Sequence, residues 1–290
     1  MVPSEYFNSY RNKFNKIMNS EDGNKIRKIL AMDGKTQRGN AISNQKANHI
    51  VSCVDENGLC LGDTLVDDKT NEIKAIPDLI DQINITGHIV TTDAMGTQKE
   101  IATKIRKKRA DYVLALKGNQ SNLHDEVKKY FNNSDFVDKC EYHKTVEKAR
   151  SSTETREYWQ TDNVKGLTDL KKWTGLKSII ATKNTIEKND KIITETRYFI
   201  SSLKTDVKEA ARAIRSHWMV ESYHWHLDVT FHEDDNRTLD KQAAYNLNIL
   251  RKISLNLLKV IDIGKKASLK LKRYAVSMNP IKYLENLFES

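Results

Sequence analysis

Residues 88–117, HIVTTDAMGTQKEIATKIRKKRADYVLALK, decide how the chain reads. Ile89 and Val90 mark a short buried strand that stops at Asp93. The stretch Thr97 to Arg109 has helical spacing and carries the basic run KIRKKR. DYVLALK is a second apolar strand, closed by the loop Gly118-Asn119-Gln120. Two strands joined through one helix by short connections run parallel, by a right-handed crossover.

Upstream, three short apolar segments lie in KIRKILAMDGKTQRG, ANHIVSCVDENG and LCLGDTLVDD, with Glu56-Asn57-Gly58 as a turn before the third. They read as an antiparallel meander. Asp33 ends the first strand, where Gly34 permits a sharp turn. Between the meander and the parallel pair, NEIKAIPDLIDQI spaces Ile73, Ile76, Leu79, Ile80 and Ile83 as a helix, with Pro77 in or near its first turns. Three hairpin strands followed by two parallel ones, with helices between, is the strand order of an RNase H-like core. The expected fold class is therefore α/β, with a mixed sheet of three antiparallel plus two parallel strands and flanking helices.

Beyond the helix SNLHDEVKKYF, residues 140 to about 200 are rich in Thr, Ile, Val, Tyr and charge, with a turn at Glu187-Lys188-Asn189-Asp190, and read as a β-rich insertion. The stretch 215–237, RSHWMVESYHWHLDVTFHEDDNR, then packs an acid, histidines, two tryptophans and an acidic cluster into one expected helix. Asp206 and Glu209 supply a capping box at its start. Glu221 shares a face there with His217, Trp218, His224, Trp225 and Asp228. AAYNLNILRKISLNLLKVI reads as an amphipathic core helix, and Tyr6, Phe7, Tyr10, Phe14, Ile17 and Met18 as one face of a short N-terminal helix. The expected division is a helical remnant at 1–24, a first core part at 25–139, the insertion at 140–203, a second core part with the glutamate helix at 204–262, and a tail at 263–290.

Lys plus Arg exceed Asp plus Glu by 48 − 39 = +9 in 290 residues, and the pI near 9.2 suits a polyanionic partner. Cys53, Cys60 and Cys140 form neither a C-x-x-C motif nor an even disulfide set, which suits a reducing cytoplasm. There is no signal-like apolar core and no run of about 18 apolar residues, so no membrane partner is expected. Lys35-Thr36 after Gly34 is not a phosphate-binding loop, because position 29 is Ile29 where that motif needs glycine.

In such a core Asp33 and Asp93 end neighbouring strands, with the Glu221 helix packed beside them. Three crowded carboxylates raise one another's pKa unless cations hold them, and Mg2+ takes oxygen ligands of this kind. Two such ions about 4 Å apart activate an attacking water or hydroxyl and stabilise the leaving oxygen of a phosphodiester. Mn2+ can take the same ligands. A zinc site through His224, Asp228 and His232, each four apart, is the alternative metal reading.

The segments LAMDGKTQRG, HIVSCVDENGLCLGDTLVDDKTNEI, IVTTDAMGTQKEIATKI, ADYVLALKGNQ, ETRYFISSL and RSHWMVESYHWHLDVTFHEDDNR resemble, in order, the DDE transposases of bacterial insertion sequences. The likeness is to the ISAs group, which includes the H-repeat-associated proteins, and covers about residues 25 to 260. It implies an RNase H-like core with a β-rich insertion before the glutamate helix. It also implies that Asp33, Asp93 and Glu221 are the catalytic and metal-binding residues, and that DNA strand cleavage and transfer is the activity. DNA at the element ends and at the target is the implied partner, in a bacterial, nucleoid-associated setting, with a homodimer in the DNA complex. Lys35, Arg38, Lys117, Asn119, Gln120, Arg215, His217 and Arg237 lie in these blocks and are candidate DNA contacts. Trp218 and Trp225 are expected to pack the helix onto the core, with stacking on an unpaired base as the alternative.

Two departures stand out. Related groups place an arginine four residues before the glutamate and a lysine seven after it, where this chain has His217 and Asp228. Only about thirty residues precede Asp33, where the group carries a longer helical region, and VEKARSSTETR lacks the His-Gly-Arg expected around Arg150. An N-terminally truncated transposase is the expectation, with a catalytically inactive DNA-binding relic as the alternative.

Overall fold

Ile29, Leu30, Ala31 and Met32 form an unbroken apolar run, and a strand with that pattern has to be covered on both faces. The computed structural model covers it: in β1 (Ile29–Thr36) all four are at most 1% exposed. The structure describes residues 27–41, 46–67, 71–149, 151–189, 191–264 and 266–283. The helix expected over residues 5 to 20, and Arg150, lie outside them.

Antiparallel to β1 runs β2 (His49–Asp55), and antiparallel to that β3 (Cys60–Leu65). Helix α1 (Glu72–Gln82) then crosses to β4 (Ile89–Thr92), which is parallel to β1, and α2 (Lys99–Lys107) crosses to β5 (Asp111–Leu116), parallel to β4. The order β3-β2-β1-β4-β5 is the mixed RNase H-like arrangement. Pro77 sits six residues into α1, one turn later than a first-turn proline.

Helices α3 (Ser121–Phe131) and α4 (Ser134–Val137) lead to β6 (Glu141–Lys148), β7 (Ser152–Thr161), β8 (Ser178–Lys188) and β9 (Lys191–Ser201). These strands do not make a sheet of their own. β9 pairs antiparallel with β5, so all nine belong to one sheet that ends β5-β9-β8-β7-β6.

Side chains alternate along the strands, and the two faces receive different helices. Leu30, Met32, Val90, Tyr112 and Leu114 pack under α1, α2 and α3 through Ile76, Leu79, Ile101, Ile105 and Val127. Ile29, Ile89 and Val113 face α5 (Val207–Ser216) through Ala210 and Ala213. Ala31 and Val54 face α6 (Trp218–Val229) through Val220, Tyr223 and Leu227. Asp33 continues the side of Ile29 and Ala31, so it points toward α6.

The expected single helix over 215–237 is two helices and a loop. Asp206 caps α5 by accepting from the Glu209 amide at 3.0 Å, as expected. A tight turn from the His217 amide to the Arg215 carbonyl then separates α5 from α6. The second helix stops at Val229, and His232 takes a left-handed φ of +52°, which no helix can continue through.

The core helix expected after residue 240, α7 (Lys241–Val260), buries Ala244, Leu255 and Leu258 but also a polar stripe, Asn248, Lys252 and Asn256. The Asn256 amide accepts from the Cys60 amide and donates to its carbonyl, so it pairs with the outer edge of β3 as a strand would. A further helix, α8 (Leu269–Met278), lies in the stretch expected as a tail. No helix among the described residues is long and apolar enough to cross a membrane.

Candidate active site

Parallel pairing ends with Met32 opposite Thr92, so Asp33 and Asp93 stand level where β1 and β4 part. Asp33 does not end its strand as expected, because β1 runs on through Gly34 to Thr36 paired with β2, and only Asp93 follows a strand end. In sheets of this kind the crevice beyond the carboxyl ends of parallel strands is where ligands sit. The Asp93 carboxylate accepts from the Gly96 amide at 3.1 Å, and the Thr97 hydroxyl donates to the Asp93 carbonyl. From the next loop, Asn119 Nδ2 donates to the Ala94 carbonyl at 2.5 Å and Gln120 Nε2 to the Thr97 carbonyl at 3.1 Å. These two amides, expected at DNA, brace the turn that carries Asp93.

A third carboxylate joins the aspartates, and it is not the expected one. Glu72, the first residue of α1, offers an oxygen to a group in which Asp33, Glu72 and Asp93 all lie within 4.8 Å of one another. Its Oε1 is 2.6 Å from His49 Nε2, and His49 Nδ1 is 2.8 Å from the Thr36 hydroxyl. Gly34 makes this approach possible, since a Cβ there would collide with both Glu72 Oε1 and His49 Nε2. Gly34→Ala is therefore expected to push the pair away from β1 and cost about 1–3 kcal/mol of stability, as overpacking does. A melting temperature equal to wild type would show that the close approach is not needed.

Burial first, and then the neighbouring Asp93 and Glu72 charges, push the Asp33 carboxyl up to about 7. Asp93 is raised as well, mainly by burial, against the pull of the Gly96 amide. All three donors are hard oxygens with no thiolate among them, a set that fits Mg2+ or Mn2+ better than zinc.

Glu221 stands outside the cluster of three. It is exposed on α6 and lines a cleft of about 180 Å³ together with Asp93, Lys117, Arg197, His217 and Trp218, near enough to Asp33 to contribute to its raised pKa. His217 Nδ1 lies 3.0 Å from the Thr91 hydroxyl, and burial, followed by the Arg197 charge, lowers its pKa to about 4. The ring is neutral at pH 7. His224 is also neutral, lowered to about 3 by burial and then by Lys252 and Lys35. Its Nδ1 stands 3.6 Å from Asp33 Oδ2, too far for a hydrogen bond, and because the ring is neutral the two do not form an ion pair.

A model of the family described as the transposase DDE domain matches residues 24–257. The chain belongs to the DDE transposases. YncI of Escherichia coli O157:H7, named as a transposase, is 39% identical over an alignment 272 positions long that covers 90% of this chain and 69% of YncI. YhhI of Escherichia coli K12, named as an H repeat-associated transposase, is 33% identical over an alignment 294 positions long that covers 96% of this chain and 75% of YhhI. YbfL of the same strain is 35% identical over 268 residues, 87% of this chain and 69% of YbfL.

The other expected DNA contacts of this transposase fall into two groups. Arg38, Lys117, Arg215 and Arg237 are exposed, with the Arg215 guanidinium 5.0 Å above the Trp218 ring. Lys35 is turned inward, its ammonium 2.7 Å from Asp228, 3.0 Å from Glu233 and 3.2 Å from Asp234. The Arg38 amide donates to Asp234 as well. The acidic cluster thus ties the segment after β1 to the loop after α6, which leaves Lys35 no free face for a phosphate. His224, Asp228 and His232 have separate neighbours (Asp33, Lys35 and Asp235) and do not converge on a zinc site.

Trp218 and Trp225 do not pack the helix onto the core. They are 42% and 55% exposed, because Val220, Tyr223, His224 and Leu227 form the buried stripe and leave positions 218, 221 and 225 on the opposite face. Trp218→Ala is accordingly expected to stay folded, within about 0.5 kcal/mol of wild type, as surface substitutions are. A loss of several kcal/mol in a denaturant titration would restore the packing role.

Sequence reasoning missed Glu72, His49 and Arg197. Arg197 makes a two-pronged ion pair with Glu195 at 2.8 Å and lines the cleft beside Glu221. Glu72 carried one faint signal, an acid at the start of a helix, which is the commonplace answer to a helix dipole.

Proposed function

We propose that this transposase cleaves one DNA strand at the ends of an insertion sequence and joins the freed 3′ end to target DNA, using Asp33, Asp93 and Glu221 with Mg2+. The observation that carries the reading is the pair of aspartates standing level where the parallel strands β1 and β4 part, with a glutamate facing them from α6. When bound, the divalent cations supply an activated water or 3′ hydroxyl and stabilisation of the leaving oxygen.

The chain's own residues do the rest. Asp33 and Asp93 hold fixed oxygens because their strands are buried on both faces and cannot shift. Asn119 and Gln120 stiffen the Asp93 turn from below. Glu221 projects from a helix whose other face is locked by Val220, Tyr223 and Leu227, so its carboxylate faces the cleft from a rigid support. Lys117 and Arg215 are exposed at the cleft and its rim, where they can take DNA phosphates from solvent, and neutral His217 can offer a ring nitrogen without adding charge. The excess of cations over acids, 48 − 39 = +9, favours DNA by counterion release.

The test is cleavage of labelled duplex ends by purified protein. Strand nicking that requires Mg2+ or Mn2+ and stops with chelator is the expected result. DNA binding with no nicking under either ion would mean a catalytically idle relic.

A further inference from the structure

We infer that Glu72 is a fourth acidic ligand of this site, completing with Asp33 and Asp93 a position for one divalent cation that fills before Glu221 and DNA are engaged. The inference rests on the proposed function above, in which Asp33 and Asp93 hold metal.

The geometry separates the two glutamates. Glu72 brings an oxygen within 4.8 Å of oxygens from both aspartates, and Glu221 is not in that group. The Glu72 side chain is 11% exposed, whereas Glu221 lies on the open face of α6. A carboxylate taken out of water beside two others repels them, and a bound cation relieves the repulsion that protonation would otherwise have to relieve. Among the described residues no lysine or arginine forms an ion pair with any of the three. The only partner within salt-bridge distance of Glu72 there is His49, which is held in turn by the Thr36 hydroxyl.

Two further observations point to a ligand rather than to crowding. Gly34 keeps empty the space that a Cβ would take from Glu72 Oε1 and His49 Nε2, so the backbone beside Asp33 is shaped around this carboxylate. On the far side of Asp33, His224 is 9% exposed, its Nε2 has no hydrogen-bond partner, and its Nδ1 stops 3.6 Å short of Asp33. The Asp33 oxygen facing that ring is thus left without a donor from α6. His49 is a positioning residue: it fixes the Glu72 carboxylate through one oxygen and leaves the other for a ligand.

The experiment is a Mn2+ titration of the full chain without DNA, read by loss of the free-ion electron paramagnetic resonance signal and by calorimetry. Wild type is expected to take up one tight Mn2+ per chain. Glu72→Gln keeps a hydrogen-bond acceptor for His49 and should weaken that site by at least about tenfold, the lower end of what losing even an outer partner of a metal costs. Glu221→Gln should leave it unchanged, and Asp33→Asn should abolish it. Circular dichroism checks folding, and if Glu72→Gln does not fold, Glu72→Asp, one methylene short of the aspartates, is expected to show the same weakening. Unchanged affinity in the folded Glu72 variant, with binding lost in Asp33→Asn, overturns the inference and leaves the proposed function standing. Equal weakening by Glu221→Gln overturns the order of filling. Unchanged affinity in Asp33→Asn removes the metal role of the aspartate itself, and the proposed function with it.

Discussion

Asp33→Asn is expected to lower metal-dependent strand cleavage by at least about a thousandfold, the equivalent of about 4 kcal/mol of barrier, while DNA affinity at fixed salt stays near wild type. The substitution keeps the side chain's shape and removes the charge that a divalent cation needs. The same variant should melt higher than wild type in the absence of divalent ions. Burial and the neighbouring Asp93 and Glu72 charges raise the Asp33 carboxyl from 3.8 to about 7 in the folded protein. Between those two values the native state holds a proton that the unfolded state has released, so stability falls as pH rises through that window. Asparagine carries no such penalty at pH 8, and at pH 4, where the native carboxyl is protonated anyway, the two proteins should differ little. Cleavage retained by Asp33→Asn would remove it from the catalytic set, and a lower melting temperature at pH 8 would show that its charge is compensated in the metal-free protein.

The meeting of Asp33 and Asp93 was legible because each follows a run of apolar strand residues, and strand order alone makes β1 and β4 neighbours; that β1 continues past Asp33 to Thr36 was not, since Gly34 reads as a turn. That Glu221 lies on a helix was legible, although the helix is shorter than expected. Glu72 was not, because an acid in the first turn of a helix has an ordinary explanation, and its approach to Asp33 depends on Gly34 and His49 across the strand. The turning inward of Lys35 was hidden for another reason: its partners Asp228, Glu233 and Asp234 lie on the far side of the insertion, and nothing local marks them. The tryptophans misled because a large aromatic is more often core than surface. Their exposure follows from Tyr223 and His224 occupying the buried stripe of α6. Asn248, Lys252 and Asn256 recur every four residues, yet this polar stripe of α7 is buried, which the reading of the segment as an amphipathic core helix did not single out.

That stripe carries the largest expected loss of stability. Lys252 is 4% exposed, and its ammonium lies 2.7 Å from Asp63 and 2.9 Å from the Ser52 hydroxyl, while the Tyr245 hydroxyl donates to Asp63 at 2.7 Å. Burial alone would discharge the lysine, but the charge and hydrogen bond of Asp63, with smaller help from Cys60 and Glu233, together outweigh it and the pKa is raised, so the lysine is charged at neutral pH. Lys252→Met removes one member of a dry pair and leaves Asp63 charged with only a phenol for company, which typically costs about 3–5 kcal/mol. The damage should reach the site, because α7 also holds Glu233 through Asn248 at 2.6 Å, and Glu233 holds Lys35, two residues from Asp33. Adding Asp63→Asn to Lys252→Met takes away the orphaned charge but keeps an acceptor for Tyr245, so the double variant should recover much of the loss. Urea titration of the three proteins reads the outcome directly. A Lys252→Met cost under about 1 kcal/mol would put the pair in the class of surface salt bridges, with α7 held by its apolar contacts alone. A double variant no more stable than the single would show that the lost packing of the lysine stem, and not the stranded carboxylate, sets the cost.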